Sequence, residues 1–314
     1  MLIHLVVLFL AQLTSSPAVR LQQPVPGPPD GTVLSQASCE FTPYEQAPEF
    51  ARRYYPRQAF EAASRSTTVD CLRIRYASGG LGVVGFIVKP RGNVGERFPV
   101  IVFNRGGYGD IGKIDSWNLV DFYGFASQGF VVLASQYRGN DGGDGRDEVG
   151  GADVADVMAL ARLAAALPYA DAAKLYLYGL SRGGMMSFLA LKQGFPAKAL
   201  AVVGAVYDLE AFERRAPKVV AAALAGVPEA NRGVALLRER SVMNWPDQVT
   251  APLLIIHGTK DEEVPIAEAL TFAGKLSQLR KPYDLVVYAD DIHEAANNRQ
   301  DRDAKIAAWF KQHR

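Results

Sequence analysis

The chain has 314 residues, enough for one large domain or two modest ones, with 49% apolar and 21% charged residues and a formal net charge of +1. That balance offers neither a basic footprint for nucleic acid nor a cationic face for an anionic membrane surface. Two cysteines and four histidines, widely scattered, are too few for a metal site, and the pattern as a whole calls for no cofactor.

Residues 1–18 read as a cleaved export signal: an apolar core from Met1 to Ala11, too short to span a membrane comfortably, is followed by small residues around Ser16-Pro17-Ala18. Export removes that segment and leaves no stable membrane association. Residues 19–66 read as an N-terminal linker and helical extension. Pro24, Pro26, Pro28 and Pro29 make residues 19–38 extended. Residues 44–63 carry a helical pattern broken by Pro48 and Pro56, with Phe50, Tyr54 and Phe60 expected to face inward. Export places Cys39 and Cys71 in an oxidising compartment, where a bridge would staple this extension to the first strand of the domain.

Residues 67–314 read as the main α/β domain. Residues 69–76 and 81–88 flank Ser78-Gly79-Gly80 as a hairpin. Buried strands are expected at 99–103, 130–134, 174–178, 199–206, 253–257 and 283–288. Helices are expected at 151–166, 185–192, 266–279 and 301–312, with a charged helical stretch at 208–245. A hairpin followed by alternating strands and helices gives a mostly parallel, doubly wound sheet, the order of an α/β-hydrolase fold.

The chemistry centres on Gly179-Leu180-Ser181-Arg182-Gly183, a G-x-S-x-G turn between a strand and a helix. Such a turn lifts the serine hydroxyl above the sheet, with glycines where a Cβ would crowd the backbone. A serine hydroxyl needs a base, and the base needs an acid to hold its tautomer. His4 falls in the signal, His313 at the carboxyl terminus and His257 at the end of a strand. His293, in the loop after the last strand, is the remaining candidate base. Asp261, in the loop His257-Gly258-Thr259-Lys260-Asp261, is favoured as acid over Asp208, which follows the preceding strand. Oxyanion donors are expected from the backbone N–H of Arg182 and from that of Arg105 or Gly106 after the strand at 99–103. The Arg105 side chain reads either as a structural ion pair or as a substrate contact. Tyr207, Phe212 and Trp245 are candidate walls of an acyl pocket, each equally readable as core.

Gly107-Tyr108-Gly109-Asp110-Ile111-Gly112 fits a dinucleotide fingerprint by letter. It follows a strand that is not the first of a βαβ unit, and the next strand ends in Ser135-Gln136-Tyr137-Arg138 with no acid for a ribose. Asn140-Asp141-Gly142-Gly143-Asp144-Gly145 lacks the ligand ladder of a calcium loop and reads as a turn.

From about residue 70 onward the chain resembles the catalytic domain of the prolyl oligopeptidase family of serine peptidases. The resemblance rests on Gln136-Tyr137-Arg138-Gly139, on Gly179-Leu180-Ser181-Arg182-Gly183-Gly184, on His257-Gly258-Thr259-Lys260-Asp261 before Val264-Pro265, and on a last-loop His293. It implies Ser181 as nucleophile, Asp261 as acid, His293 as base, and a small peptide substrate cleaved through an acyl-enzyme. The short stretch between signal and domain leaves no room for the β-propeller usual in the family. Asn104-Arg105-Gly106-Gly107 stands where relatives often show His-Gly-Gly or a tyrosine. Single-domain relatives include carboxylesterases and dienelactone-hydrolase-like enzymes, so an ester substrate is the second reading and a non-catalytic binding protein the third.

Overall fold

Strands whose residues are apolar without interruption have to be covered on both faces. Such runs are Val100–Phe103, Val131–Ala134, Leu175–Tyr178, Ala199–Val203 and Leu253–Ile256, all buried. The computed structural model describes residues 27–314 and gathers these runs at the centre of a nine-stranded sheet. Its strands are β1 (Val33–Ser38), β2 (Val69–Ser78), β3 (Leu81–Pro90), β4 (Phe98–Asn104), β5 (Val131–Ser135), β6 (Ala170–Leu180), β7 (Ala197–Val203), β8 (Leu253–Gly258) and β9 (Tyr283–Tyr288). They lie in the order β1-β2-β3-β5-β4-β6-β7-β8-β9. The pairs β1–β2, β2–β3 and β3–β5 are antiparallel and the remaining pairs parallel. The export signal and the first part of the extended linker lie outside the described residues.

The helices are α1 (Glu49–Tyr54), α2 (Arg57–Ser64), α3 (Ser116–Ser127), α4 (Val154–Ala166), α5 (Arg182–Lys192), α6 (Leu209–Arg215), α7 (Pro217–Ala223), α8 (Val234–Arg240), α9 (Ile266–Gln278) and α10 (Arg299–Gln312). Alternation along the strands sends side chains to two cores. Val100, Val102, Leu177, Val202 and Ile255 meet Leu160 of α4, Met186 of α5 and Phe272 of α9 on one face. Ile101, Phe103, Tyr178, Val203 and Ile256 meet Phe122 of α3 and Phe310 of α10 on the other. This doubly wound sheet with an antiparallel beginning is the α/β-hydrolase fold.

Four local differences from the sequence expectation have physical causes. The segment read as an extended linker contains β1, a polar and largely exposed edge strand whose order comes from its ladder to β2 rather than from apolar content. Helix α3 is apolar nearly all round, with Leu119, Val120, Phe122 and Phe125 buried, so it shows no polar stripe to read. It starts where the Asp115 N–H donates to Asn118 Oδ1 at 2.9 Å. Helix α4 begins at Val154 rather than at residue 151, because the N–H groups of Gly150 and Gly151 are bonded to the Asp153 carboxylate. Phe50 does not face inward: it is 58% exposed, while Phe60 is buried against Phe41 and Tyr44 in a satellite cluster.

Cys39 and Cys71 form a disulfide with Cα atoms 5.4 Å apart. It fastens the end of β1 to β2, alongside the Cys39 N–H to Cys71 carbonyl bond of 3.1 Å. Among the described residues no helix is long and apolar enough to cross a membrane.

Candidate active site

Ser181 joins β6 to α5 with φ 53° and ψ −122°, a left-handed conformation that an L-residue adopts only where its surroundings impose it. The imposition is visible on both sides. The Ser181 N–H is tied to the Val203 carbonyl at 2.9 Å, and its own carbonyl accepts from Gly184 at 2.9 Å. A Cβ on Gly179 would run into the Gly183 carbonyl, and one on Gly183 into the Asn104 carbonyl at the end of β4. The two flanking glycines therefore let β6, α5 and β4 close up around the serine.

The loop after β8 carries Asp261, whose carboxylate is buried and used on both oxygens. Oδ1 accepts the N–H groups of Glu263 and Val264 at 3.0 and 2.8 Å. Oδ2 lies 2.8 Å from His293 Nδ1 and 3.2 Å from His257 Nε2. Burial alone would raise this carboxyl, but the hydrogen bonds from His257 and His293 hold it well below the usual carboxylate range. Asp208, the alternative acid, instead caps α6, its carboxylate accepting from the N–H groups of Glu210 and Ala211.

The loop that carries His293 is held by its near neighbour in sequence, Asp291. Asp291 is fully buried and binds four groups of its own loop: the N–H of Ile292, Asn297 and Asn298 and the Asn298 side chain. Its backbone carbonyl accepts from Lys260 N–H at 2.8 Å, which sews the His293 loop to the Asp261 loop. Glu294 follows with φ 61°, its carbonyl fixed by Arg302 at 2.9 Å. Burial works against a charged His293 ring. The hydrogen bond to Asp261 and the charges of Glu294, Asp261 and Glu263 outweigh it and push the ring up to about 9. Nε2 lies 3.5 Å from Glu263 Oε2.

His257, read from sequence as merely the end of a strand, belongs to the same cluster. Its Nε2 is 2.8 Å from the Val264 carbonyl, while its buried Nδ1 has no partner among the described residues. An Nε2–H faces two oxygens that can accept it, the Val264 carbonyl and the Asp261 carboxylate.

Gly106 lies directly against the serine: a Cβ there would sit 3.2 Å from Ser181 Cβ. The N–H of Arg182 is the first of α5 and has no intrahelical partner. The Arg105 side chain makes no ion pair among the described residues, although Arg105 belongs to the lining of the cavity. It is buried, and its nitrogens donate to the carbonyls of Gln136, Gly106, Ile111 and Gly109. Burial and the nearby Arg182 charge push it down to about 10. The fingerprint-like loop at 107–112 is thus wound around a guanidinium. The Arg182 side chain is also buried, bridging Asp147 at 2.6 Å and Asp153 at 2.7 Å over the Tyr137 ring.

Ser181, His293, Gly106 and Glu294 line one cavity of about 660 Å³. Tyr207, Trp245 and Phe212 do not. Tyr207 is fully buried against Phe188, Phe272 and His257. Trp245 is buried, its indole N–H given to the Glu239 carbonyl and its ring covered by Lys192. Phe212 packs against the core under Arg215. The cavity takes its aromatic walls from Phe50, Tyr54, Tyr55 and Trp117 instead. Sequence periodicity could not separate these two sets, because all of them except Trp117 stand in loops, at helix caps or on helices of seven residues or fewer.

The model of the prolyl oligopeptidase family matches residues 116–314. The uncharacterized peptidase YtmA of Bacillus subtilis is 32% identical over 257 residues, covering 79% of this chain and 96% of that protein. Acylamino-acid-releasing enzyme 2 of Oryza sativa is 26% identical, over 68% of this chain and 30% of that protein. Among solved structures, a puromycin-hydrolyzing peptidase of Mycobacterium tuberculosis superposes with a TM-score of 0.63 at 25% identity, over 74% of this chain and 37% of that one. The acylaminoacyl peptidase of Pyrococcus horikoshii superposes at 0.66 and 24% identity, over 78% and 42%. The chain thus spans less than half the length of these last three proteins.

Proposed function

The chain belongs to the prolyl oligopeptidase family, and from that premise we propose that it is a serine hydrolase cleaving peptide or amide bonds through an acyl-enzyme on Ser181. The observation that carries the reading is the bond of 2.8 Å between His293 Nδ1 and a buried Asp261 carboxylate, in the cavity that Ser181 lines with its strained backbone.

Ser181 Oγ attacks the substrate carbonyl carbon while neutral His293 accepts the hydroxyl proton at Nε2. Asp261 keeps the Nδ1 proton in place, so Nε2 is free to act as base. The surrounding carboxylates favour the imidazolium that forms as the proton arrives. The carbonyl oxygen gains its negative charge against the N–H of Arg182 and that of Gly106 or Arg105. Collapse expels the amine, which takes the proton back from His293, and water then repeats the sequence on the acyl-serine. A hydrogen bond from Ser181 to His293 is expected to tighten only with substrate bound. Names of the relatives support peptide substrates, and the Cys39–Cys71 bridge supports an exported protein, since such bridges are rare in the cytosol.

A fluorophosphonate probe with peptide mapping tests the site directly. Labelling should fall on Ser181, and Ser181→Ala should cut turnover of peptide amides by about a thousandfold or more with circular dichroism unchanged. An unlabelled folded protein, or an active alanine variant, overturns the reading. Turnover of p-nitrophenyl esters alone would move the substrate class to esters.

A further inference from the structure

The floor of the cavity is accounted for by the proposed chemistry; its mouth is not. Most large apolar side chains of this molecule are buried, but Phe50 and Ile111 are 58% and 60% exposed, and both line the cavity above Ser181. Trp117 lines the same cavity, and its ring meets Phe50 edge-on at 5.8 Å and 86°. An apolar shelf open to solvent on the rim of a reactive cavity is what a ligand's apolar group covers.

Two of the cationic side chains that line the cavity, Arg299 and Arg302, are already engaged. Arg299 pairs with Asp121, donates to the Tyr54 carbonyl and stacks on the Tyr55 ring at 4.1 Å. Arg302 is buried between Asp121 and Asp303. The wall is also built to hold its shape. The Tyr55 carbonyl accepts from Tyr44 at 3.1 Å, the Tyr55 hydroxyl donates to Asp121 at 3.3 Å, and the disulfide ties the preceding segment to β2. Ile111 is pinned by the bond from buried Arg105 to its carbonyl at 3.0 Å. A shelf fixed in this way can discriminate by shape, because little has to be ordered when the ligand arrives.

We propose that Phe50, Trp117 and Ile111 form a subsite for a large apolar side chain of the substrate, so that the N-terminal extension and residues 111–117 together select substrates carrying an aromatic or branched aliphatic residue beside the scissile bond. The proposal rests on Ser181 being the nucleophile. It assigns to α1, the loop before α3 and the first turn of α3 the selection expected of Tyr207, Phe212 and Trp245.

The test is protection of Ser181 from the fluorophosphonate by acetylated amino aldehydes, alanyl against phenylalanyl, which add reversibly to a serine hydroxyl and differ only in the side chain. The wild type should be protected about tenfold more tightly by the phenylalanyl compound, as burial of a phenyl ring predicts. In Phe50→Ala that ratio should collapse toward one, Phe50→Leu should restore much of it, and Ile111→Ala should lower it partway. Melting curves establish that each variant is folded. A wild-type ratio near one overturns the subsite, as does a ratio that Phe50→Ala and Ile111→Ala both leave intact. An absence of labelling in the wild type overturns the hydrolase reading itself, a distinct result.

Discussion

The two flanks of Ser181 treat charge in opposite ways. On the flank of the loop after β4, Arg182 is matched by Asp147 and Asp153, and Arg105 is wrapped in backbone carbonyls. On the other flank one imidazole, His293, faces Asp261, Glu263 and Glu294. Neither glutamate side chain has a Lys or Arg partner within 4 Å among the described residues. Matched charge fixes geometry, and here it holds the backbone that would present the oxyanion donors. Excess negative charge sets proton affinity, and here it acts on the group that would carry the proton. The site separates a rigid half from a titrating half.

The hardest blow to the titrating half is Asp261→Asn. The asparagine oxygen can still accept the N–H groups of Glu263 and Val264, so the loop should persist, while loss of the acceptor that faces His257 and His293 should lower the melting temperature modestly. Its amide would point a donor at His293 Nδ1, forcing the proton to Nε2 and removing the base. A fall in kcat on the order of 10⁴ is expected with KM nearly unchanged. A loss below tenfold would mean that Asp261 does not set the tautomer.

Arg182→Met strikes the rigid half. It leaves the buried carboxylates of Asp147 and Asp153 without their cation, and a broken buried network of this kind costs about 3–5 kcal/mol. Urea unfolding should show that loss as a lower midpoint. Because the proposed oxyanion donor at this position is a backbone N–H, the folded fraction should still label at Ser181, more slowly than wild type. Full stability in this variant would show that the two aspartates find other partners and that the matched flank is not what holds the loop.

What could be read in the sequence follows the same division. Ser181, Asp261 and His293 announce themselves because glycines, strand ends and chain order restrict where such residues can stand. The central strands are legible because burial on both faces demands unbroken apolar runs. The supporting residues leave weaker marks. His257 looks like a strand terminus, and only the fold brings its Nε2 to Asp261. Asp291 organises the His293 loop by accepting backbone N–H groups, a role that any acidic residue in any loop could hold. Tyr207 and Phe50 are equally good candidates for a wall or for the core. Their exchange of places depends on long-range contacts, Tyr207 with Phe188, Phe272 and His257 and Phe50 with Trp117, to which local periodicity is blind. Strand β1 is polar and edge-bound, so its order comes entirely from a partner distant in sequence.

The smallest effect is also the most discriminating for the comparison. Glu263 is 67% exposed, and its Oε2 stands 3.5 Å from His293 Nε2, so solvent screens part of its influence. Its negative charge favours the imidazolium. Glu263→Gln should therefore lower the proton affinity of His293 from its value of about 9, and the acid limb of kcat/KM should move to lower pH by a fraction of a unit. Glu294→Gln should move it further in the same direction, because that carboxylate is less exposed and acts more strongly on the ring. The sign carries over to stability. A histidine raised from 6.5 to about 9 on folding contributes fully below pH 6.5 and loses that contribution as the pH rises through 9. Wild-type stability should decline across that window, and the decline should shrink in both glutamine variants. Arg182→Met should leave the window where it is, since its charges lie on the other flank. A pH profile that moved with Arg182 and not with the glutamates would reverse the assignment of the two halves.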